Sequence, residues 1–392
     1  MHLEQIIMQF VSLPLKTPFE TSFGREETKR AWLITVRGEG LEGYGECVSS
    51  DEPLYSEETH ASAYYALRDH IIPRIRSDIG HPYDIFNQLK SLRGNRMAKA
   101  AVETAVWDWY AKCLSRPLYQ VLGGRDVASI PVGVSIGIQP DGRQLCQVAE
   151  SFWREGYRRL KVKIRPGWDL EPLTLLRRHL GAKVPIMADA NSAYTFLDVD
   201  HLKAFDPLEL MMIEQPLAYD DIIEHGKLAH EITTPICLDE SIHTADDVAK
   251  AWEIGALGVV NLKIGRVGGY ASSLAIEEFS RNHRIPLWCG GMLETGIGRA
   301  HNVHLTTLPG FTLPGDTSAS SRYFDHDIIT EPFVLNADGT LSVPKGPGIG
   351  VAPDRKRIRD LLVYEEVFAV SPQPLTNSER RERRFPEIDL GR

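Results

Sequence analysis

Three carboxylates and a lysine recur along the middle of the chain at nearly equal intervals: Asp189, Glu214, Asp239 and Lys263, separated by 25, 25 and 24 residues. Each closes a short apolar run: VPIMAD, ELMMIE, TPICLD and VVNLK. A strand, a loop and a returning helix use roughly that many residues, so the four mark equivalent positions on successive strands. A lone Asp at a strand end is more often a turn residue or a helix N-cap. Four groups in phase describe a ring of charge at one end of a barrel, the face where barrel active sites form. Three carboxylates converging there repel unless a divalent cation neutralises them. An oxygen-only set favours a hard ion, Mg²⁺ or Mn²⁺, over Zn²⁺.

Two more lysines precede this series. In RLKVKI (159–164) the period-two alternation of a strand places Lys161 and Lys163 on one face and Leu160, Val162 and Ile164 on the other. An exposed edge strand would read the same way. Inside a barrel, however, the apolar face meets the helices and the lysines point inward. The carboxylates of the next three strands then supply the anionic partners that buried ammonium groups need. Lys263 ends the sixth strand, across the ring from the second. A metal flanked by lysines suits removal of a proton from the carbon next to a carboxylate, because the ion and Lys161 stabilise the charge gathering on the enediolate oxygens. A lysine base must be neutral. Lowering its pKa from about 10.4 to about 7–8 corresponds to roughly 3–5 kcal/mol of differential interaction. A metal, a second lysine and partial burial act in that direction, and Arg266 adds to it if it turns toward the site rather than lying in a surface loop.

These groups need a scaffold. Residues 1 to about 50 alternate as strands do, in IIMQFVSLPL, RAWLITVRGEG and a third run after a Gly-rich turn, with KTPFETSFGREETK (16–29) expected to be a loop. From Glu57 to Leu122 the apolar spacing turns helical and stops at Gly123-Gly124. Beyond lie eight strand candidates: 130–137, 159–164, VPIMADA, ELMMIE, TPICLD, GVVNLKI, 285–290 and a weaker FTLPGD (311–316). Helical runs such as QLCQVAESFWREG and YASSLAIEEFSRNH separate them, which argues for a parallel barrel over an open sheet. From about 330 the chain reads as strand and turn, then helix, and is expected to pack back onto the first domain before a mixed-charge tail. GRVGG (265–269) and GPGIG (346–350) read as turns, and His301 and His304 as structural residues on one helix face.

Composition narrows the class. A hydrophobic share of 43% and a charged share of 25% are ordinary for a soluble globular protein. A net charge of −9 without a dense basic stretch argues against nucleic acid as a partner. Five scattered cysteines without CxxC spacing read as free thiols of a reducing compartment. No run of 18 apolar residues and no signal-like N-terminus occur, so no membrane partner and a cytoplasmic location are expected.

The strings KVK (161–163), MADAN (187–191), IEQP (213–216), LDES (238–241) and NLKIGRVGG (261–269) resemble the enolase superfamily, muconate-lactonizing subgroup, over nearly the whole chain. Within it, GGMLETGIGRAHN (290–302) and LPGDTSASSRYF (313–324) look like the o-succinylbenzoate synthase/N-succinylamino acid racemase family. The resemblance implies an α/β fold: a modified TIM barrel of the (β7α)β type at 126–325 under an α+β capping domain at 1–125, with 326–392 completing the cap. It implies Mg²⁺ (or Mn²⁺) on Asp189, Glu214 and Asp239, Lys163 and Lys263 as acid/base groups on opposite faces of the substrate, and Lys161 beside the carboxylate. Positions matching the substrate pocket are Ser135, Asn191, Gly291, Met292 and Leu293, with Phe19, Phe23 and Tyr55 from capping loops. Leu293 stands where the family commonly has isoleucine. The substrate implied is a small carboxylate with a succinyl or N-acyl group. The activity is synthesis of o-succinylbenzoate by dehydration, a step of menaquinone formation, racemisation of N-succinylamino acids, or both. Muconate-type cycloisomerisation, dipeptide epimerisation and a catalytically silent barrel are the alternatives. Dipeptide epimerases carry Asp-x-Asp where this chain has Asp316-Thr317-Ser318, which suits a neutral N-acyl group better. Oligomer size is not legible, although a homo-oligomer is expected.

Overall fold

The computed structural model describes residues 1–372. Strands β1 (Leu3–Glu20) and β2 (Arg25–Gly38) form a long antiparallel hairpin, and β3 (Leu41–Cys47) adds to β2. The segment expected as a loop at 16–29 is mostly strand. Its arms pair from Phe19↔Glu26 to Glu20↔Arg25, leaving only residues 21–24 as the turn, where the Thr21 amide donates to the Gly24 carbonyl. Pairing satisfies backbone groups that polar side chains alone had suggested were solvated. The 18-residue helix Arg96–Cys113 packs across β3 at Gly43 and Gly45. A Cβ at these positions would stand 2.2 and 2.1 Å from the carbonyl oxygens of Ala105 and Ala101, so only glycine permits this approach.

The second part is a curled parallel sheet. A short strand β4 (Ser129–Pro131) precedes it, followed by β5 (Val134–Ile136), β6 (Leu160–Lys163), β7 (Ile186–Asp189), β8 (Ile213–Glu214), β9 (Ile236–Leu238), β10 (Val259–Leu262) and β11 (Leu287–Cys289). β5 to β11 lie in sequence order, each parallel to the next, with helices such as Gly142–Glu155 and Tyr270–Asn282 between them. On β6 the alternation holds: Leu160 and Val162 join the apolar core, while Lys161 and Lys163 make ion pairs on the opposite face.

Two strand expectations are corrected. The run 130–137 splits at Gly133, and β4 pairs outside the sheet with β12 (Thr340–Ser342). The eighth candidate, 311–316, forms no strand. Pro314 has no amide proton and cannot donate to a ladder. The segment still closes the gap: the amides of Thr312 and Leu313 donate to Leu287 O, the Asp316 amide to Cys289 O, and the Gly133 amide to Gly315 O.

After the helix Arg355–Asp360, the strand β13 (Leu362–Ala369) pairs antiparallel with β1 and becomes the edge of the capping sheet. The expected return to the first domain is made by this strand, which the helical reading of the segment missed. The mixed-charge tail lies outside the described residues. All five cysteines are free thiols, and no helix among the described residues is long and apolar enough to cross a membrane.

Candidate active site

Parallel register sets Lys163 beside Asp189 and Asp189 beside Glu214 on β6, β7 and β8. Asp239 and Lys263 directly follow β9 and β10. Their side chains converge. Lys161 Nζ lies 2.8 Å from Asp189 Oδ2 and 2.7 Å from Glu214 Oε2. Lys163 Nζ donates to Asp189 Oδ2 at 2.6 Å and to Asn191 Oδ1 at 2.5 Å. Lys263 Nζ donates to Asp239 Oδ2 at 2.7 Å and to the Tyr55 hydroxyl at 3.0 Å. The three carboxylates are fully buried.

A cavity of about 570 Å³ opens above them between cap and sheet. Lys161, Lys163 and Lys263 line its floor, together with every residue expected in the pocket: Ser135, Asn191, Gly291, Met292 and Leu293 from strand ends, and Phe19, Phe23 and Tyr55 from the cap. Asp189, Glu214 and Asp239 stand behind the lysines. Asn191 (φ +42°), Gln215 (+38°) and Leu293 (+55°) hold left-handed backbone just past strand ends, a cost of about 1–3 kcal/mol each that clusters at functional sites.

The two candidate acid/base lysines are driven apart. Burial lowers the Lys163 pKa, with help from the Lys161 and Lys263 charges, and Asp189 only partly offsets this. Burial also acts on Lys263, but Tyr55, Glu214 and Glu240 outweigh it and hold its ammonium above the ordinary range. Lys161 is raised likewise, because Asp189, Glu214 and Asp316 outweigh burial. Burial would raise Asp189; Lys161 and Lys163 instead hold it well below the usual carboxylate range. Arg266 does turn inward, but onto Asp239 Oδ1 and the carbonyls of Ile242 and Asn261. It serves that carboxylate and does not stand unpaired against Lys263.

Four further groups complete the charge pattern. Arg159 donates to Asp316 Oδ1 at 2.5 Å beneath Lys161. Asn261 donates to Glu214 Oε1 at 2.8 Å. Glu240, raised to about 7 chiefly by burial, accepts from Asn191 Nδ2. Period-two alternation could have found Arg159 and Asn261, which share faces with Lys161 and Lys263. Glu240 and the pairing of Asp316 had no local signal. Five carboxylates (Asp189, Glu214, Asp239, Glu240, Asp316) thus face five cations (Arg159, Lys161, Lys163, Lys263, Arg266), all buried.

The donor set fits a hard divalent ion by its chemistry: three buried carboxylates, with Glu214 Oε2 in ionic contact with Lys161 yet accepting no hydrogen bond. Each carboxylate is turned to a cationic side chain, and among the described residues no three His, Cys, Asp or Glu side chains stand together as a ready cluster.

Comparison with known proteins agrees with this architecture. Residues 4–123 match the mandelate racemase/muconate lactonizing enzyme N-terminal domain, and residues 144–357 the enolase C-terminal domain-like family. The chain is 48% identical to an o-succinylbenzoate synthase from Geobacillus stearothermophilus, over 94% of this chain and 98% of that one. It is 49% identical to an N-succinylamino acid racemase from Thermus thermophilus, over 95% and 100%. A crystal structure of an enolase-superfamily member from Listeria innocua superposes with a TM-score of 0.90 at 41% identity, covering 94% of this chain and 99% of that one. The chain therefore belongs to the enolase superfamily, in its mandelate racemase/muconate lactonizing branch, within the family of o-succinylbenzoate synthases and N-succinylamino acid racemases.

Proposed function

We propose that this enzyme removes the proton alpha to a substrate carboxylate and uses the enediolate to form o-succinylbenzoate by loss of water, to racemise N-succinylamino acids, or both. One observation carries the reading: Lys163 and Lys263 enter a single cavity from the second and sixth of seven strands, with Lys161 and three buried carboxylates beneath. Asp189, Glu214 and Asp239 would hold a divalent ion, Mg²⁺ or Mn²⁺. When bound it supplies Lewis-acid stabilisation of charge on the substrate carboxylate. Lys161 sits where it can hold that carboxylate. Lys163, the lysine with the depressed pKa, takes the proton, and for the synthase reaction returns it to the departing hydroxyl on the same face. Lys263 faces the enediolate as a cation, and for racemisation delivers a proton from the other side.

The surroundings of Lys163 support a neutral base: burial, with the Lys161 and Lys263 charges, disfavours its ammonium more than Asp189 favours it. Asp316 bears on substrate class. It is committed to Arg159 and lies 3.4 Å from Lys161, so it offers no free carboxylate to a substrate ammonium. That favours an N-acyl substrate over a dipeptide with a free amino group.

With an N-succinylamino acid and Mg²⁺ in deuterated water, deuterium is expected at the α-carbon, read by proton NMR. Lys163→Ala should abolish both synthase and racemase turnover, and EDTA should remove them reversibly. Either activity surviving Lys163→Ala refutes the assigned base, and absence of exchange with every N-acylamino acid sinks the racemase half.

A further inference from the structure

Lys29 lies on β2 of the cap, not on the strand ends that carry the lysines of the floor, and lines the same cavity. It is 4% exposed. Its Nζ makes a single hydrogen bond, to the Met292 carbonyl at 2.9 Å, and forms no ion pair among the described residues. The other cations of the hairpin that reach the cavity differ. Arg25 pairs with Glu27 and Arg30 with Asp51, both in exposed pairs at the rim. The buried carboxylate Glu46 feels the Lys29 charge, but its oxygens accept from Thr295 and Gly298. A buried ammonium with two unused donors and no counter-ion is costly to keep, and such a group gains most when an anion arrives.

The floor takes one carboxylate of the substrate, beside Lys161. A succinyl arm ends in a second carboxylate, which cannot use that same floor. We propose that Lys29 is a specificity residue that binds the distal carboxylate of the acyl arm, so that the enzyme selects dicarboxylic acyl groups over neutral ones. Its bond to Met292 ties this cation to the strand-end loop where Gly291, Met292 and Leu293 line the cavity, which fixes its height above the floor. The inference rests on the proposed function and extends it from reaction type to acyl group.

The test compares an N-succinyl with an N-acetyl derivative of one amino acid, by α-deuterium exchange with wild type and Lys29→Met. Loss of a charged hydrogen bond is expected to lower kcat/KM for the N-succinyl substrate by about 10- to 100-fold, mainly through KM. The loss on the N-acetyl substrate should be far smaller, so the preference collapses. Equal losses on both substrates would show a structural role for Lys29 and overturn the proposal, as would no loss on either. Should Lys29→Met not accumulate folded, Lys29→Arg is read instead. Its longer side chain is expected to shift preference toward the shorter N-malonyl arm, and an unshifted preference overturns the proposal. Wild type inactive on both substrates would instead fail the reaction reading itself, a separate outcome.

Discussion

Lys163 and Lys263 carry the same ammonium group at similar depth, 7% and 5% exposed, yet their surroundings separate them. Lys163 shares the single carboxylate Asp189 with Lys161, so repulsion adds to burial. Lys263 instead donates to Asp239 Oδ2, whose other oxygen serves Arg266, and to the Tyr55 hydroxyl, and the Tyr55 ring lies 4.3 Å from its Nζ. One lysine is thus prepared to accept a proton and the other to hold one. In the proposed mechanism each reaches the substrate from its own side, and single-lysine variants should reveal this. Lys163→Ala is expected to retain α-deuterium exchange with one enantiomer of an N-succinylamino acid and Lys263→Ala with the other, while racemisation is abolished in both. NMR on the separate enantiomers reads this directly. Exchange lost with both enantiomers in one variant and kept with both in the other would assign both faces to one lysine.

Elements set how accurately these groups meet. The cap must sit close enough for Tyr55 to donate to Asp239 Oδ1 at 3.1 Å, and the helix Arg96–Cys113 braces its sheet through the glycine gap at β3. Gly45→Ala forces a methyl against the Ala101 carbonyl and the Thr104 side chain. The expected cost is about 1–3 kcal/mol in urea unfolding with an unchanged denaturant slope. An unaltered midpoint would mean that helix and sheet can separate freely. Strand periodicity made most of the sheet legible, because alternation and repeat length are local properties. It failed at 311–316 and 362–369. The first run mimics a strand but contains Pro314; the second was read through the helix before it, and its pairing with β1 is set more than 350 residues away.

At the scale of the molecule, two buried imidazoles lie on the seam between cap and barrel. His301 bonds the Tyr44 carbonyl through Nε2, and His304 bonds the Ile349 carbonyl while its Nδ1 accepts from the Tyr119 amide. Burial holds both at about 4, below the ordinary value of about 6.5. Above pH 6.5 both folded and unfolded states are neutral there and the full contribution is present. Between 6.5 and 4 the unfolded chain binds the protons first, so stability falls, by an order of 3 kcal/mol per histidine. Glu103 and Glu240, raised to about 7 by burial, act in the opposite sense over the same window. The informative quantity is therefore a difference. His304→Gln should lose less stability than wild type between pH 7 and pH 4.5 in urea titrations, and parallel curves would rule His304 out as a proton-linked contact.

Sequence alone marked the residues proposed to carry the chemistry. Strand ends repeat about every 25 residues, and side chains alternate with period two, so Asp189, Glu214, Asp239 and the three lysines could be assigned to one face without coordinates. Tertiary structure alone decided their partners: Arg266 on Asp239, Arg159 on Asp316, and the irregular segment closing the sheet. It also placed Lys29 against Met292, 263 residues later in the chain. Periodicity is written between neighbours in sequence, whereas the pairing of buried charges depends on which surfaces meet once the cap folds over the barrel, and no local pattern records that encounter.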